Sequence, residues 1–268
     1  MIMPLSDVSG MRWTPPGAAY VPANPTPQAY RLVQKLGSIT DLTQPEREAL
    51  MALPMRVQDM RPDQDIVREG DRPTHSCLLI EGFACRYKFT KTGKRQIFAF
   101  QTPGDIPDLL TMHLKTLDHS LGTITPCRLG FIRHDHLGDL VREHPRLGDV
   151  FWRDTLIDAA IFREWMLGIG RRSARTRIAH LFCEMVTRLD GVGLKEGNTV
   201  PLPITQTELG DALGLSTVHV NRTLQDLRGD GLVEWEGRVL QVRDWEALKL
   251  AGEFDPTYLH LDRSALAE

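Results

Sequence analysis

The residues best suited to chemistry lie between positions 205 and 228, TQTELGDALGLSTVHVNRTLQDLR. An arginine fork can bond guanine O6 and N7 together, and an asparagine amide can pair with N6 and N7 of adenine. A threonine can meet a base edge or a thymine methyl. Arg222, Asn221 and Thr217 supply those three groups in one short stretch, flanked by Ser216, Val218 and Gln225. Such side chains read DNA only when one rigid element presents them together.

The surrounding sequence predicts that element. Thr205 with Glu208 three residues on forms a capping box, opening a helix whose apolar face is Leu209, Ala212 and Leu213. Gly214 gives the backbone freedom for a sharp turn between helices. Ser216 then caps a second helix, with Val218, Val220, Leu224 and Leu227 expected inside and Thr217, Asn221, Arg222 and Gln225 outside. Leu232 to Trp235, a Glu236-Gly237 turn, and Arg238 to Val242 read as a hairpin in the position of a wing, with Arg238 on the DNA side. Arg171, Arg172, Arg175 and Arg177 cluster just upstream and could approach phosphates, although a charged cluster is often only a solvated face. Residues 171–245 hold ten Lys and Arg against ten Asp and Glu, so this half is not basic overall.

The rest of the chain must position that unit. At 268 residues the length suits two domains, and 25% charged with 7% aromatic residues is an ordinary globular composition. A net charge of −3 excludes a strongly basic, histone-like protein but not a local DNA-binding face. No apolar run is long enough to span a membrane, and no secretory leader is visible at residues 1–10. Four scattered cysteines without a CxxC pair suit a reducing cytoplasm, which is the expected location.

Residues 1–28 hold six of the 17 prolines and read as a disordered arm. Short helices are expected from Tyr30 to Leu53, with Thr43 as a cap before Pro45 and Glu46. Strands follow at Asp65 to Val67, Cys77 to Ile80, Ala84 to Phe89, Gln96 to Phe100, Gly122 to Ile124 and Arg128 to Ile132, with a hairpin tip at Thr92-Gly93. After His134 the pattern turns helical. Leu147, Val150, Ile157 and Ile161 fall near heptad spacing and predict a dimer seam, ended by a hinge at Gly168 and Gly170.

This order resembles the Crp/Fnr family of bacterial transcription regulators over roughly residues 30–250. The resemblance rests on Glu69-Gly70-Asp71, Ile80-Glu81-Gly82 and Pro103-Gly104-Asp105, followed by the long helix, the helix-turn-helix and the wing. It implies an α+β protein. Residues 29–145 would form an antiparallel β-roll sensor like cyclic-nucleotide-binding domains, and 146–170 a dimerisation helix and hinge. Residues 171–250 would form a winged helix-turn-helix, and 251–268 a C-terminal extension. It also implies a homodimer on palindromic double-stranded DNA, with RNA polymerase as a further partner.

The departures matter. Gly104, Asp105, Asp108, His119 and Ser120 align with the stretch that would form an effector pocket. His119 stands where cyclic-nucleotide binders carry an arginine, losing permanent charge and bidentate geometry, so cyclic AMP is not the expected effector. No cysteine precedes Cys77, so the [4Fe–4S] cluster of the oxygen-sensing members is not expected either. The remaining cysteines, His75, His113, and the His134 and His136 pair suggest no metal site. Val218 replaces the family's base-reading Glu, so the half-site should differ there while keeping the guanine read by Arg222. Two other readings compete: a nucleotide-responsive module whose winged helix engages protein, and an enzyme. The chain has no GxxxxGK[ST], GxSxG or HExxH motif to support the latter.

Overall fold

The computed structural model describes residues 27–262, so most of the proline-rich arm lies outside the described residues. Helices α1 (Tyr30–Ile39) and α2 (Gln44–Met51) come first. Thr43 and Glu46 close the expected capping box on α2. Seven strands follow: β1 (Arg56–Met60), β2 (Asp65–Val67), β3 (His75–Glu81), β4 (Ala84–Phe89), β5 (Arg95–Gln101), β6 (Ser120–Thr123) and β7 (Cys127–Arg133). They form two antiparallel sheets, ordered β1-β7-β3 and β2-β6-β4-β5. Ile66, Cys77, Leu79, Ala84, Leu121, Leu129 and Phe131 fill the space between the sheets, as alternating residues of a roll must. Strand β1 was not legible in the sequence because RVQDM has little alternation and is only half-buried.

Next come α3 (His134–Glu143), α4 (Pro145–Arg171) and α5 (Ala174–Gly191). The winged unit comprises β8 (Thr199–Pro201), α6 (Gln206–Leu213), α7 (Thr217–Gly229), β9 (Val233–Glu236), β10 (Val239–Val242) and α8 (Trp245–Gly252). Its sheet has the order β8-β10-β9, with β8 an unforeseen third strand. The wing turn falls at Gly237 and Arg238, one residue later than expected, and both have positive φ.

Helix α4 corrects two expectations. It runs unbroken through Gly168 and Gly170, since an isolated glycine costs only ~1 kcal/mol in a helix held by packing. The break comes at Arg172, which is extended, after which the Ser173 hydroxyl accepts from the Thr176 amide to cap α5. The expected seam residues Leu147, Val150, Ile157 and Ile161 are all buried within their own chain. Helix α4 carries two apolar faces, and spacing alone does not reveal which one its own domain takes. The other face leaves Trp152, Leu156, Phe162, Met166, Leu167 and Ile169 exposed.

The segment after α8 is docked rather than loose. Phe254 and Leu259 are buried, and Tyr258 donates its hydroxyl hydrogen to Glu184 Oε2 at 2.8 Å. Trp165 of α4 donates to the same oxygen at 3.0 Å. His180 of α5 lies stacked on Tyr258, with Nδ1 3.0 Å from the Gly252 carbonyl. The Asp262 amide reaches the Ser38 carbonyl of α1 at 2.7 Å.

One carboxylate ties these parts together. Asp105 accepts from the Thr102 amide at 2.7 Å and pairs with Lys35 of α1 at 2.9 Å and Arg188 of α5 at 3.2 Å. Lys35 also pairs with Asp154 of α4 at 2.8 Å. Burial acts to raise the Asp105 pKa, but Lys35, Arg188 and the amide overcome it and hold it below the usual carboxylate range. Replacing Asp105→Ala takes one partner from each cation, leaving Lys35 to Asp154 and Arg188 to Glu184 and the Phe100 carbonyl. We expect a loss of about 1–3 kcal/mol, read as a lower urea midpoint. A change below about 0.5 kcal/mol would show that the remaining partners suffice.

Candidate nucleic-acid interface

The reading surface is built from two helices locked at close range. The Thr205 amide donates to Glu208 Oε2 at 2.6 Å and the Glu208 amide donates to Thr205 Oγ1 at 3.1 Å, completing the expected box at the start of α6. Gly214 ends that helix with φ 66°. Gly210 permits the tight approach: a Cβ there would lie 2.6 Å from the Leu215 carbonyl oxygen, whose own amide donates to Gly210 O at 3.0 Å. The Ser216 hydroxyl accepts from the His219 amide at 3.3 Å and so starts α7.

Helix α7 buries Val220, Thr223, Leu224 and Leu227. Thr217, Asn221, Arg222 and Gln225 are all exposed. Val218, expected inside, is 81% exposed instead. It lies two residues before Val220, hence about 200° around the helix from that buried position. It therefore joins the outer face and offers a methyl-sized apolar contact among polar neighbours. Arg222 has no hydrogen bond or ion pair among the described residues, which leaves its guanidinium free for a partner. Arg238 stands exposed at the wing tip with φ 74°.

The upstream arginines are mostly engaged within the protein. Arg172 pairs with Glu164 at 2.6 Å and with Glu253 at 3.3 Å, and Arg175 pairs with Asp230 at 2.6 Å. Arg177 donates to the Leu213 carbonyl at 2.6 Å, covering the C-terminal end of α6 where a cation is favoured. Of the four, only Arg171 remains exposed. The sequence missed Gln206, whose Oε1 accepts from Asn221 Nδ2 at 3.2 Å. It also missed the brace from the β-roll. Arg95 Nε pairs with Asp211 at 2.8 Å and Gln96 Nε2 donates to the Ala212 carbonyl at 3.0 Å, seating α6 on β5.

The five residues expected around an effector do not converge on one space. A cleft of ≈ 80 Å³ lies between α1, the β-roll, α4, α5 and the C-terminal segment. Asp105 lines it, whereas Gly104, Asp108, His119 and Ser120 do not. Gly104 has φ 101°, and a Cβ there would stand 2.5 Å from the Arg31 carbonyl, so it serves a close backbone approach. His119 contacts Asp118 at 2.8 Å and meets Phe98 edge-on, and burial, reinforced by Arg86, lowers its pKa. The Ser120 hydroxyl accepts from the Glu69 amide at 3.1 Å. The cleft's cations Lys35, Arg86 and Arg188 are already paired with Asp105, Asp154 and Asp158. All four cysteines are buried, which raises their thiol pKa values, to about 12 for Cys85 and Cys183. Among the described residues no group of three His, Cys, Asp or Glu is placed to hold a metal ion.

Comparison with known proteins agrees with this architecture. Residues 57–144 match the cyclic nucleotide-binding domain family and residues 176–251 match the Crp-like helix-turn-helix domain family. The transcriptional activatory protein AadR of Rhodopseudomonas palustris is 32% identical over 201 residues, spanning 71% of this chain and 80% of that protein. The nitrogen fixation regulation protein FixK of Bradyrhizobium diazoefficiens is 30% identical over 173 residues, spanning 63% and 70% respectively. The solved structure of FixK2 from Bradyrhizobium japonicum superposes with a TM-score of 0.68 at 24% identity, covering 74% of this chain and 98% of that one. AadR is named for transcriptional activation and FixK for the regulation of nitrogen fixation. No helix among the described residues is long and apolar enough to cross a membrane.

Asp108 gives the β-roll a measurable pH signature. Its Oδ1 accepts from the Cys77 amide at 2.7 Å, its Oδ2 has no partner, and burial pushes its pKa up to about 7. The unfolded chain releases that proton near pH ~3.9, so the native state binds more protons between the two values. Asp108 therefore removes stability as pH rises through that window, and its contribution levels off above it. Asp108→Asn keeps the acceptor without the charge. The variant should exceed the wild type in stability at pH 8 by on the order of a few kcal/mol, with the gap closing toward pH 4. A gap independent of pH, read by urea unfolding, would contradict this assignment.

Proposed function

The chain belongs to the Crp/Fnr family of DNA-binding transcription regulators, and on that premise we propose that it acts as a homodimer reading a palindromic duplex. The observation that carries this reading is the outer face of α7, where Thr217, Val218, Asn221, Arg222 and Gln225 stand exposed together. In this arrangement Arg222 bonds a guanine, Asn221 an adenine, and Val218 or Thr217 a thymine methyl. Ser216 holds the helix start, and Arg238 at the wing tip reaches the adjoining backbone. The alternative, a winged helix that engages protein, is not favoured by relatives named as transcription regulators.

The exposed stripe of α4 supplies the dimer contact. Trp152, Leu156 and Met166 fall along one line of the helix, with Phe162, Leu167 and Ile169 beside it. A two-fold axis along that stripe would set two α7 helices into successive major grooves ~34 Å apart. The protein then works in the bacterial cytoplasm, with RNA polymerase as its partner on DNA. Its β-roll senses an effector other than cyclic AMP, and the moving joint is the extended Arg172 and Ser173 pair.

Two substitutions test this. Arg222→Ala should weaken binding to a selected palindromic duplex roughly 5- to 150-fold, corresponding to ~1–3 kcal/mol, while non-specific binding changes far less. Equal losses on specific and random duplexes would refute base reading by Arg222. Met166→Glu places a charge in the α4 stripe and should yield monomers by light scattering with unchanged helical circular dichroism. A variant that stays dimeric would move the seam elsewhere.

A further inference from the structure

We propose that a small cavity at the joint between α4 and α5 binds a single monatomic anion, of the size and charge of chloride, between Arg172 and Arg177. The cavity measures ≈ 20 Å³ and takes its walls from α4, α5 and the end of α6, with Glu164, Gly168, Arg172, Arg177, His180 and Leu213 among them. It lies apart from the cleft that Asp105 lines and from the outer face of α7.

A guanidinium has five N–H donors, no acceptor, and a permanent charge. Arg172 is only 10% exposed. It gives Nη2 to Glu164 at 2.6 Å and Nε to Glu253 at 3.3 Å, while Nη1 is buried with no partner in the protein. Arg177 donates through Nη1 to the Leu213 carbonyl, a neutral group, and its Nε is likewise buried and unpartnered. Buried donors left unpaired are costly, and more so on charged groups. His180 adds no free donor, because Nδ1 faces the Gly252 carbonyl and Nε2 the Tyr258 hydroxyl.

Charge and room together select the ligand. Two arginines and one carboxylate, Glu164, line the cavity, whereas Glu253 meets Arg172 from the solvent side and is 66% exposed. The lining thus holds one positive charge in excess, on Arg177, which an anion answers and a water does not. One water needs about 10–15 Å³, so this space admits one monatomic ion and excludes phosphate, nucleotides and organic acids. Held there, the anion links the long helix to α5 and α6 across the extended Arg172 and favours the arrangement described above.

Gly168 supplies the test. A Cβ on it would stand 3.8 Å from Arg177 Cγ and 3.9 Å from Arg172 Nη1, so Gly168→Ala fits without strain and puts a methyl group into the cavity. The full-length protein is melted in sodium gluconate, whose anion is too large to enter, and in sodium chloride at equal ionic strength. At tenfold excess over the dissociation constant, chloride should raise the wild-type Tm by about 3–6 °C relative to its effect on Gly168→Ala. Crystals of the wild type grown in bromide should show one anomalous peak per chain between Arg172 and Arg177, absent from Gly168→Ala. A water at that position in the bromide crystals, or a chloride response that Gly168→Ala leaves unchanged, would overturn the inference. Neither result bears on DNA reading by α7.

Discussion

The burial of Asp105 constrains the molecule more than any other single choice. A carboxylate in that setting is tolerable only with full pairing, and the partners come from elsewhere in the fold: Lys35 from α1, Arg188 from α5 and the Thr102 amide from its own loop. Through Lys35 the same node reaches Asp154 on α4, and through Arg188 it reaches the Phe100 carbonyl at 3.0 Å. The β-roll, the long helix and the winged unit are therefore not beads on a string. Their relative placement is fixed by a directional ionic junction, which supplies geometry where apolar packing alone would leave room to slide.

The reading head was the most legible part of the sequence, for a physical reason. Its signals are local: Thr205 and Glu208 cap within one turn, and Val220, Leu224 and Leu227 repeat at helical spacing. The β-roll strands were legible nearly as well, because turn residues punctuate them. What was not legible depended on distant partners. Two apolar stripes on α4 give no local hint of which one meets α5 and the roll. The one-residue slip at the wing came from pairing Val239 with Glu236 on β9 while Val239 also lies opposite Pro201 on β8.

The candidate site shows the same division. Arg222, Asn221, Thr217 and Gln225 were found because helix period alone places them together. Val218 drew two readings, an inner one from its apolar side chain and an outer one from its place in the motif, and the helix period puts it outside. Gln206 escaped notice because its partner lies in another helix. For the arginines at 171–177 the sequence left phosphate contact and a solvated face both open, whereas Arg172, Arg175 and Arg177 answer acidic or carbonyl groups that only the folded chain brings near.

Strand β5 is the edge of the four-stranded sheet, and α6 lies against it through Arg95 with Asp211 and Gln96 with Ala212. An edge strand has one side free of sheet partners, and here another domain occupies that side. Those two contacts set where α6 sits on the roll. Because Gly210 lies tight against Leu215, the placement of α7 follows from that of α6. The outer strand of the roll is in this sense the mount of the helix-turn-helix, and the side of β5 that lacks a sheet partner is put to use as a foundation for another domain.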